Sequence, residues 1–108
     1  MTTMGPQPAG PADLDTMPTG TRFEIALLLT ETATNEVTGT VLQRDDDGVY
    51  HSTERVVTVR WEPGTPLYMG QPSDIRTGGA FQARGVLSSA NTVTADRLAI
   101  LTGYVEVR

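Results

Sequence analysis

Few side chains in this sequence have the types and spacing that catalysis or metal binding requires. The one histidine, His51, has no second ligand at the spacing of a motif such as H-E-x-x-H. Asp45, Asp46 and Asp47 are consecutive, whereas the acidic ligands of a calcium loop alternate with spacer residues. We therefore interpret the three aspartates and Gly48 as a solvated turn, because aspartate bonds its own following backbone and glycine accepts a positive φ.

The motifs that would serve nucleophilic catalysis or a phosphate-binding loop are also missing from the sequence. It contains no cysteine, and its eight basic residues are all arginines, which excludes a reactive thiolate and a lysine Schiff base. It has no G-x-S-x-G motif, and Gly78 and Gly79 precede a predicted strand, whereas a phosphate-binding glycine loop opens a helix. We therefore predict a protein that is not an enzyme and that needs no cofactor or metal.

Length and charge indicate one small acidic domain. The chain has 108 residues and a formal net charge of -5, and a chain of this size forms a single core. Its longest apolar run, residues 25–29, is far shorter than the roughly 20 residues that a membrane-spanning helix needs. The N-terminus lacks the basic and apolar regions of a secretion signal, so we expect a cytoplasmic protein with no membrane association.

Residues 1–20 are predicted to form a flexible tail. They contain four of the seven prolines and three of the eleven glycines, and they show no periodic apolar pattern. Proline removes backbone hydrogen-bond donors and glycine has more conformational entropy to lose, so this segment is poorly suited to ordered structure. The folded domain is predicted to span residues 21–108.

From residue 21 the chain alternates apolar and polar residues with the two-residue period of β-strands. Strands are predicted around residues 23–29, 37–42, 57–61, 81–87 and 93–100, with a further edge strand over residues 104–108. A phase shift near Asp96 indicates a β-bulge, and Gly39 and Gly85 are expected where strands bend. Five to six short strands favour an all-β fold, a small OB-like barrel, with residues 63–79 as a long loop.

We expect such a barrel to function by binding, and we favour a protein partner or a second copy of the chain as what it binds. The long loop and its neighbourhood would supply the contact surface, because binding residues are concentrated on loops held by a rigid scaffold. Tyr68, Met69 and Ile75 would be its apolar anchors.

The alternative is a single-stranded nucleic acid, since OB-like barrels stack bases on aromatic side chains along basic grooves. The residues that would form such a site are Arg60, Trp61, Tyr68 and Arg84. The net charge of -5 disfavours this alternative, because affinity for phosphates depends on basic residues. Trp61 is also in phase with the apolar residues of its strand, which indicates a place in the core.

Two segments in the second half of the sequence, residues 79–87 (GAFQARGVL) and 93–99 (VTADRLA), have a pattern found in a known family. With them, residues 56–104 resemble the soluble domain of the periplasmic haem chaperones of cytochrome c maturation. The resemblance implies an OB-like barrel. That family attaches haem through a histidine shortly before a tyrosine, whereas Leu101, Thr102 and Gly103 precede Tyr104 here. The resemblance therefore implies no haem site in this chain.

Overall fold

The alternating pattern forms strands, as predicted, and the chain adds one short helix. The computed structural model describes residues 10–108. Its elements in chain order are α1 (Pro11–Thr16), β1 (Arg22–Ala33), β2 (Glu36–Arg44), β3 (Tyr50–Trp61), β4 (Leu67–Tyr68), a 3-10 turn (Pro72–Asp74), β5 (Ala80–Ser89) and β6 (Thr92–Ile100). Within residues 10–108, no helix has the length and apolar character that crossing a membrane requires.

The strands form one sheet that closes on itself as a barrel. β3, β2, β1, β5 and β6 follow one another as antiparallel neighbours. β3 and β6 then pair in parallel, from Thr58 opposite Thr92 to Trp61 opposite Ala95, and this pairing closes the barrel. The short strand β4 pairs in parallel with the last part of β6. A small barrel of five main strands that includes this parallel closure is typical of the OB fold.

The inward side chains of the long strands form the core. The largest of the fully buried side chains are Phe23, Ile25, Leu27, Phe81 and Leu98. Trp61 lies at the edge of this core, with its ring centroid 5.9 Å from that of Phe81. Because successive strand residues point to opposite faces, the polar residues between these positions lie on the outside of the barrel.

Two glycines lie where a neighbouring backbone leaves no room for a side chain. A Cβ on Gly39 would collide with the carbonyl oxygen of Leu28, and a Cβ on Gly85 would collide with that of Thr94. These close approaches explain why the sequence has glycine in the middle of two otherwise regular strands.

The β-bulge predicted near Asp96 is confirmed. In the pairing of β5 with β6, Arg84 is opposite Arg97, whereas the next residue, Gly85, is opposite Ala95. Asp96 is therefore the extra residue on β6, and it interrupts the alternation along that strand.

The structure differs from the predicted tail at residues 11–16, which form α1. Leu14 is buried in the barrel core. Arg55 on β3 forms an ion pair with Asp15 and donates from Nε to Asn91 Oδ1 at 3.1 Å, so α1 is held beside the β5–β6 turn. Composition does not predict this helix, because one buried leucine gives no periodic signal. Residues 1–9 of the predicted tail lie outside the described residues.

The predicted edge strand over residues 104–108 is wrong. One isolated parallel bridge, Tyr50 opposite Val107, joins this segment to the sheet. Val105 and Val107 pack instead against a second apolar cluster of Ala26, Leu42, Ala80 and Leu101. Residues 104–108 therefore cover apolar side chains that lie outside the main core of the barrel. β3 also starts earlier than predicted, at Tyr50.

Candidate functional site

The outer face of β2 and β3 carries polar groups that bind one another. The hydroxyl oxygens of Thr38 and Thr58 are 3.1 Å apart, with either one able to donate. Arg60 donates from Nε to Glu36 Oε1 at 2.9 Å. OB folds commonly bind oligonucleotides on the face of their second and third strands, but here the arginine and the hydroxyl groups already have partners.

A groove runs along a different surface, on the outer side of the sheet from β2 across β1, β5 and β6 to β4. Two adjoining cavities of about 340 Å³ and about 30 Å³ lie along it, and Glu24 and Gln82 line both. We call this surface the outer groove. Its charged, polar and aromatic residues are Asp13, Glu24, Gln43, Arg44, Tyr50, Tyr68, Gln82, Arg84 and Arg97.

Strand register brings the central residues of the outer groove together. Glu24 on β1 is opposite Arg84 on β5, and Arg84 is opposite Arg97 on β6. The bulge at Asp96 matters here, because it lets Arg97 lie outside while Leu98 fills the core. The outer groove therefore depends on pairings between residues that are far apart in the chain.

Tyr68 provides an exposed aromatic ring at one end of the outer groove. Its exposed fraction is 46%. The guanidinium carbon of Arg97 lies 4.7 Å from the ring centroid, a cation–π contact. Met69, the next residue, is 48% exposed and has a φ of 64°, in the left-handed region. A ring held by an arginine and still half exposed is suited to stacking against a planar ligand.

Within residues 10–108, the three arginines of the outer groove have no carboxylate partners. Four arginines elsewhere form ion pairs, namely Arg22 with Asp96, Arg55 with Asp15, Arg60 with Glu36 and Arg108 with Glu106. Among residues 10–108, no carboxylate oxygen lies within 4.0 Å of the side-chain nitrogens of Arg44, Arg84 or Arg97. The Nε of Arg84 is buried and has no hydrogen-bond partner in this part of the chain. The outer groove therefore has cationic groups available for an anionic ligand.

Three of the predicted binding residues lie at this surface and three do not. Tyr68 and Arg84 belong to the outer groove, and Met69 adjoins it. Arg44, Tyr50 and Arg97 line the outer groove but are not among the binding residues predicted from the sequence. The phase shift that predicted the bulge was the available signal for Arg97, since a bulge changes the face to which the following residue points.

The other predicted binding residues occupy other surfaces. Arg60 is paired on the β2–β3 face. Trp61 and Ile75 are partly buried, pack against the core and line a pocket of about 590 Å³ near the β1–β2 turn. Arg60 and Trp61 therefore do not line the outer groove with Tyr68 and Arg84, and nucleic-acid binding by these four residues stays a prediction.

The aspartates at residues 45–47 form a turn, as predicted. Asp45 Oδ1 accepts hydrogen bonds from the backbone N–H groups of Asp47 at 2.8 Å and Val49 at 3.0 Å, and His51 Nε2 lies 2.7 Å from Asp45 Oδ2. The hydrogen bond with His51, followed by that from Val49, lowers the pKa of Asp45 below its ordinary value of 3.8. In the described part of the chain, no group of three or more histidine, aspartate or glutamate side chains is arranged to hold a metal ion.

Comparison with known proteins bears on the fold. No protein-family model matches the sequence, and no curated protein matches it. The fold is similar to that in the structure of U. maydis replication protein A bound to ssDNA, with a TM-score of 0.55 and 15% identity over 95% of this chain and 78% of that chain. This likeness has no bearing on the resemblance to the haem chaperone family. It confirms that the chain folds as an OB-like β-barrel.

Proposed function

We propose that this protein binds single-stranded nucleic acid in the outer groove. The observation that carries the proposal is that three arginines without carboxylate partners among residues 10–108 line two cavities that share Glu24 and Gln82. Tyr50 lines the larger cavity, and the Tyr68 ring lies against Arg97 of the smaller one. Single-stranded nucleic acid is also the alternative ligand that the sequence suggests, and of the residues predicted for it Tyr68 and Arg84 belong to the outer groove.

The chemistry of the outer groove fits a flexible strand. A base would stack on Tyr68, while the arginines would bind phosphate oxygens, and stacking of this kind tolerates any base sequence. From β2 to β4 the groove crosses four interstrand steps of about 4.8 Å, or roughly 19 Å. That length suits a short site, at the lower end of the roughly 4–16 nucleotides that one OB fold covers.

The charge of the whole molecule opposes this binding, and the charge of the groove favours it. The net charge is -5, but Arg44, Arg84 and Arg97 outnumber the acids that line the same surface, Asp13 and Glu24. We therefore expect weak affinity that decreases steeply with salt. The replication protein A of similar fold was solved bound to ssDNA, which supports the proposal at the level of architecture.

Fluorescence anisotropy with a labelled oligothymidylate tests the proposal. The probe should be about 12 nucleotides long, within the site sizes known for OB folds. The wild-type protein should bind at low ionic strength, the double variant R84Q/R97Q should lose most of this affinity, and R60Q should retain it because Arg60 is paired on the β2–β3 face. Absence of wild-type binding at low salt would contradict the proposal.

A second candidate, a protein partner or a second copy of the chain, is favoured by the exposed tip formed by Tyr68 and Met69. Both side chains are nearly half exposed, and Met69 has a backbone conformation that is uncommon for a residue other than glycine. Sedimentation velocity tests the self-association form of this candidate. A dimer that dissociates in M69S would support it, and a wild-type monomer at high concentration would exclude it.

A further inference from the structure

Arg84 and Arg97 lie opposite each other on the outer surface, a placement that needs an explanation. They are paired positions of the antiparallel strands β5 and β6, and like charges directly opposite one another are destabilising. The Nε of Arg84 is buried and has no partner among the described residues. An unsatisfied buried donor carries a further cost, which is largest for a charged group.

The neighbouring carboxylates do not neutralise Arg84 and Arg97. Glu24 is opposite Arg84 on the other side of β5, yet the two side chains form no ion pair within residues 10–108. Asp96, at the bulge, is bound by Arg22 at 2.6 Å. The two arginines are therefore left without the anion that would satisfy them both.

The surrounding geometry indicates what kind of anion would fit. The cavity of about 30 Å³ beside the two arginines is large enough for one water-sized group. Gln82 in its lining can donate to an oxyanion, whereas the Glu24 carboxylate in the same lining repels one, so the two guanidinium charges must outweigh that repulsion. A tetrahedral oxyanion could place one oxygen there, within reach of the Arg84 guanidinium, and leave its other oxygens toward Arg97 and solvent. Arg97 is held in position by its contact with the Tyr68 ring.

We propose that Arg84 and Arg97 form a phosphate clamp. The phosphate group could belong to a phosphodiester of a bound strand, in which case the clamp rests on the proposed function, or to a terminal or free phosphate. Guanidinium groups suit both sources, because their donors match the geometry of phosphate oxygens. The clamp lies on β5 and β6, away from the β2–β3 face, and next to the ring on which a base would stack.

Heteronuclear NMR of the arginine Nε–Hε groups tests the clamp directly. Inorganic pyrophosphate is the first probe, with sodium chloride of equal ionic strength as the control. The Arg84 and Arg97 signals should shift in a saturable way, whereas the Arg22 and Arg60 signals should not. Pyrophosphate affinity should decrease roughly tenfold or more in R84Q and stay within about twofold in R60Q, where the charge change is the same but lies outside the clamp. Shifts that are absent, or equal at all arginines, would overturn the clamp.

Oligothymidylate with and without a 5′-phosphate identifies the source of the phosphate. Equal shifts of the Arg84 signal with both oligonucleotides would assign the clamp to phosphodiesters of a strand. Shifts with the phosphorylated form alone would assign it to a terminal phosphate. Pyrophosphate binding without oligonucleotide binding would support the clamp and contradict the proposed function. Oligonucleotide binding that is unchanged in R84Q would contradict binding of a strand at the clamp, and loss of pyrophosphate binding in the same variant would then assign the clamp to free phosphate.

Discussion

Tyr68 is the side chain of the outer groove that is best placed to stack on a base, because its ring is exposed and Arg97 fixes its position. We expect Y68A to lower the affinity for oligothymidylate by roughly fivefold to a hundredfold, the range for losing one base–aromatic stack. The free energy of unfolding should change by less than about 1 kcal/mol, because the loss at an exposed site is one cation–π contact. Anisotropy titration and urea denaturation measure the two effects.

Tyr104 provides the matched control for this prediction. Its side chain is 63% exposed, and it does not line the outer groove. Y104A should therefore bind oligothymidylate as the wild-type protein does. Equal losses of affinity in Y68A and Y104A would show that stacking at Tyr68 is not part of binding.

Asp45 makes stability depend on pH at the turn between β2 and β3. Its pKa is lowered in the folded state, so its charge stabilises the fold above the ordinary value of 3.8, and this contribution is lost as the pH falls through the folded value. We expect D45N to melt at a lower temperature than the wild-type protein at neutral pH, with the difference shrinking below about pH 4. Melting followed by circular dichroism across this pH range checks the sign. D46N serves as the control, and an equal pH-dependent difference in D46N would contradict the assignment.

Gly39 and Gly85 affect the packing of whole strands, because each allows the backbone of a neighbouring strand to approach closely. A Cβ at residue 85 would meet the carbonyl oxygen of Thr94, and relief of that contact requires movement of β5 relative to β6. We expect G85A to lower the free energy of unfolding by about 1–3 kcal/mol or more. G10A is the control, since a Cβ there meets no atom closer than 3.6 Å. Urea denaturation followed by the fluorescence of Trp61, the one tryptophan, measures both variants. Similar losses in the two would refute this explanation of Gly85.

α1 contributes to stability through one side chain. Leu14 is 4% exposed within the core, and we expect L14A to lower the free energy of unfolding by about 2–4 kcal/mol. D15N removes the exposed ion pair with Arg55 and should cost less than about 1 kcal/mol. The same denaturation experiment compares the two variants. An L14A variant as stable as D15N would mean that the helix is not part of the barrel core.

These elements differ in how well the sequence predicts them. Strands that line the core are predicted by their two-residue period, because each needs one buried face. The first half of β3 gives no such signal, since residues 50–56 include no buried position. α1 has one buried residue in six, too few for a helical period. The outer groove depends on which strands become neighbours, so local spacing could not bring Arg84 and Arg97 together in advance.

The molecule as a whole is acidic, whereas its outer groove carries more arginines than carboxylates. The net charge of -5, taken alone, disfavours nucleic-acid binding. The structure weakens that inference, because within residues 10–108 four of the eight arginines are paired with carboxylates and three of the others lie in one groove. Binding should therefore depend on a few local phosphate contacts, with long-range attraction contributing little.

The salt dependence of binding measures how many phosphates the arginines of the outer groove contact. For single strands the slope of log K against log salt is about -0.7 per phosphate neutralised, so three groove arginines predict a slope of about -2. R84Q should reduce the magnitude of this slope by about 0.7. R60Q should leave the slope unchanged, because the charge of Arg60 is already paired with Glu36. Anisotropy titrations of oligothymidylate between about 50 and 200 mM salt give the slopes. A wild-type slope near zero would show that phosphates are not bound, and an equal change in R60Q would place the contacts on the β2–β3 face.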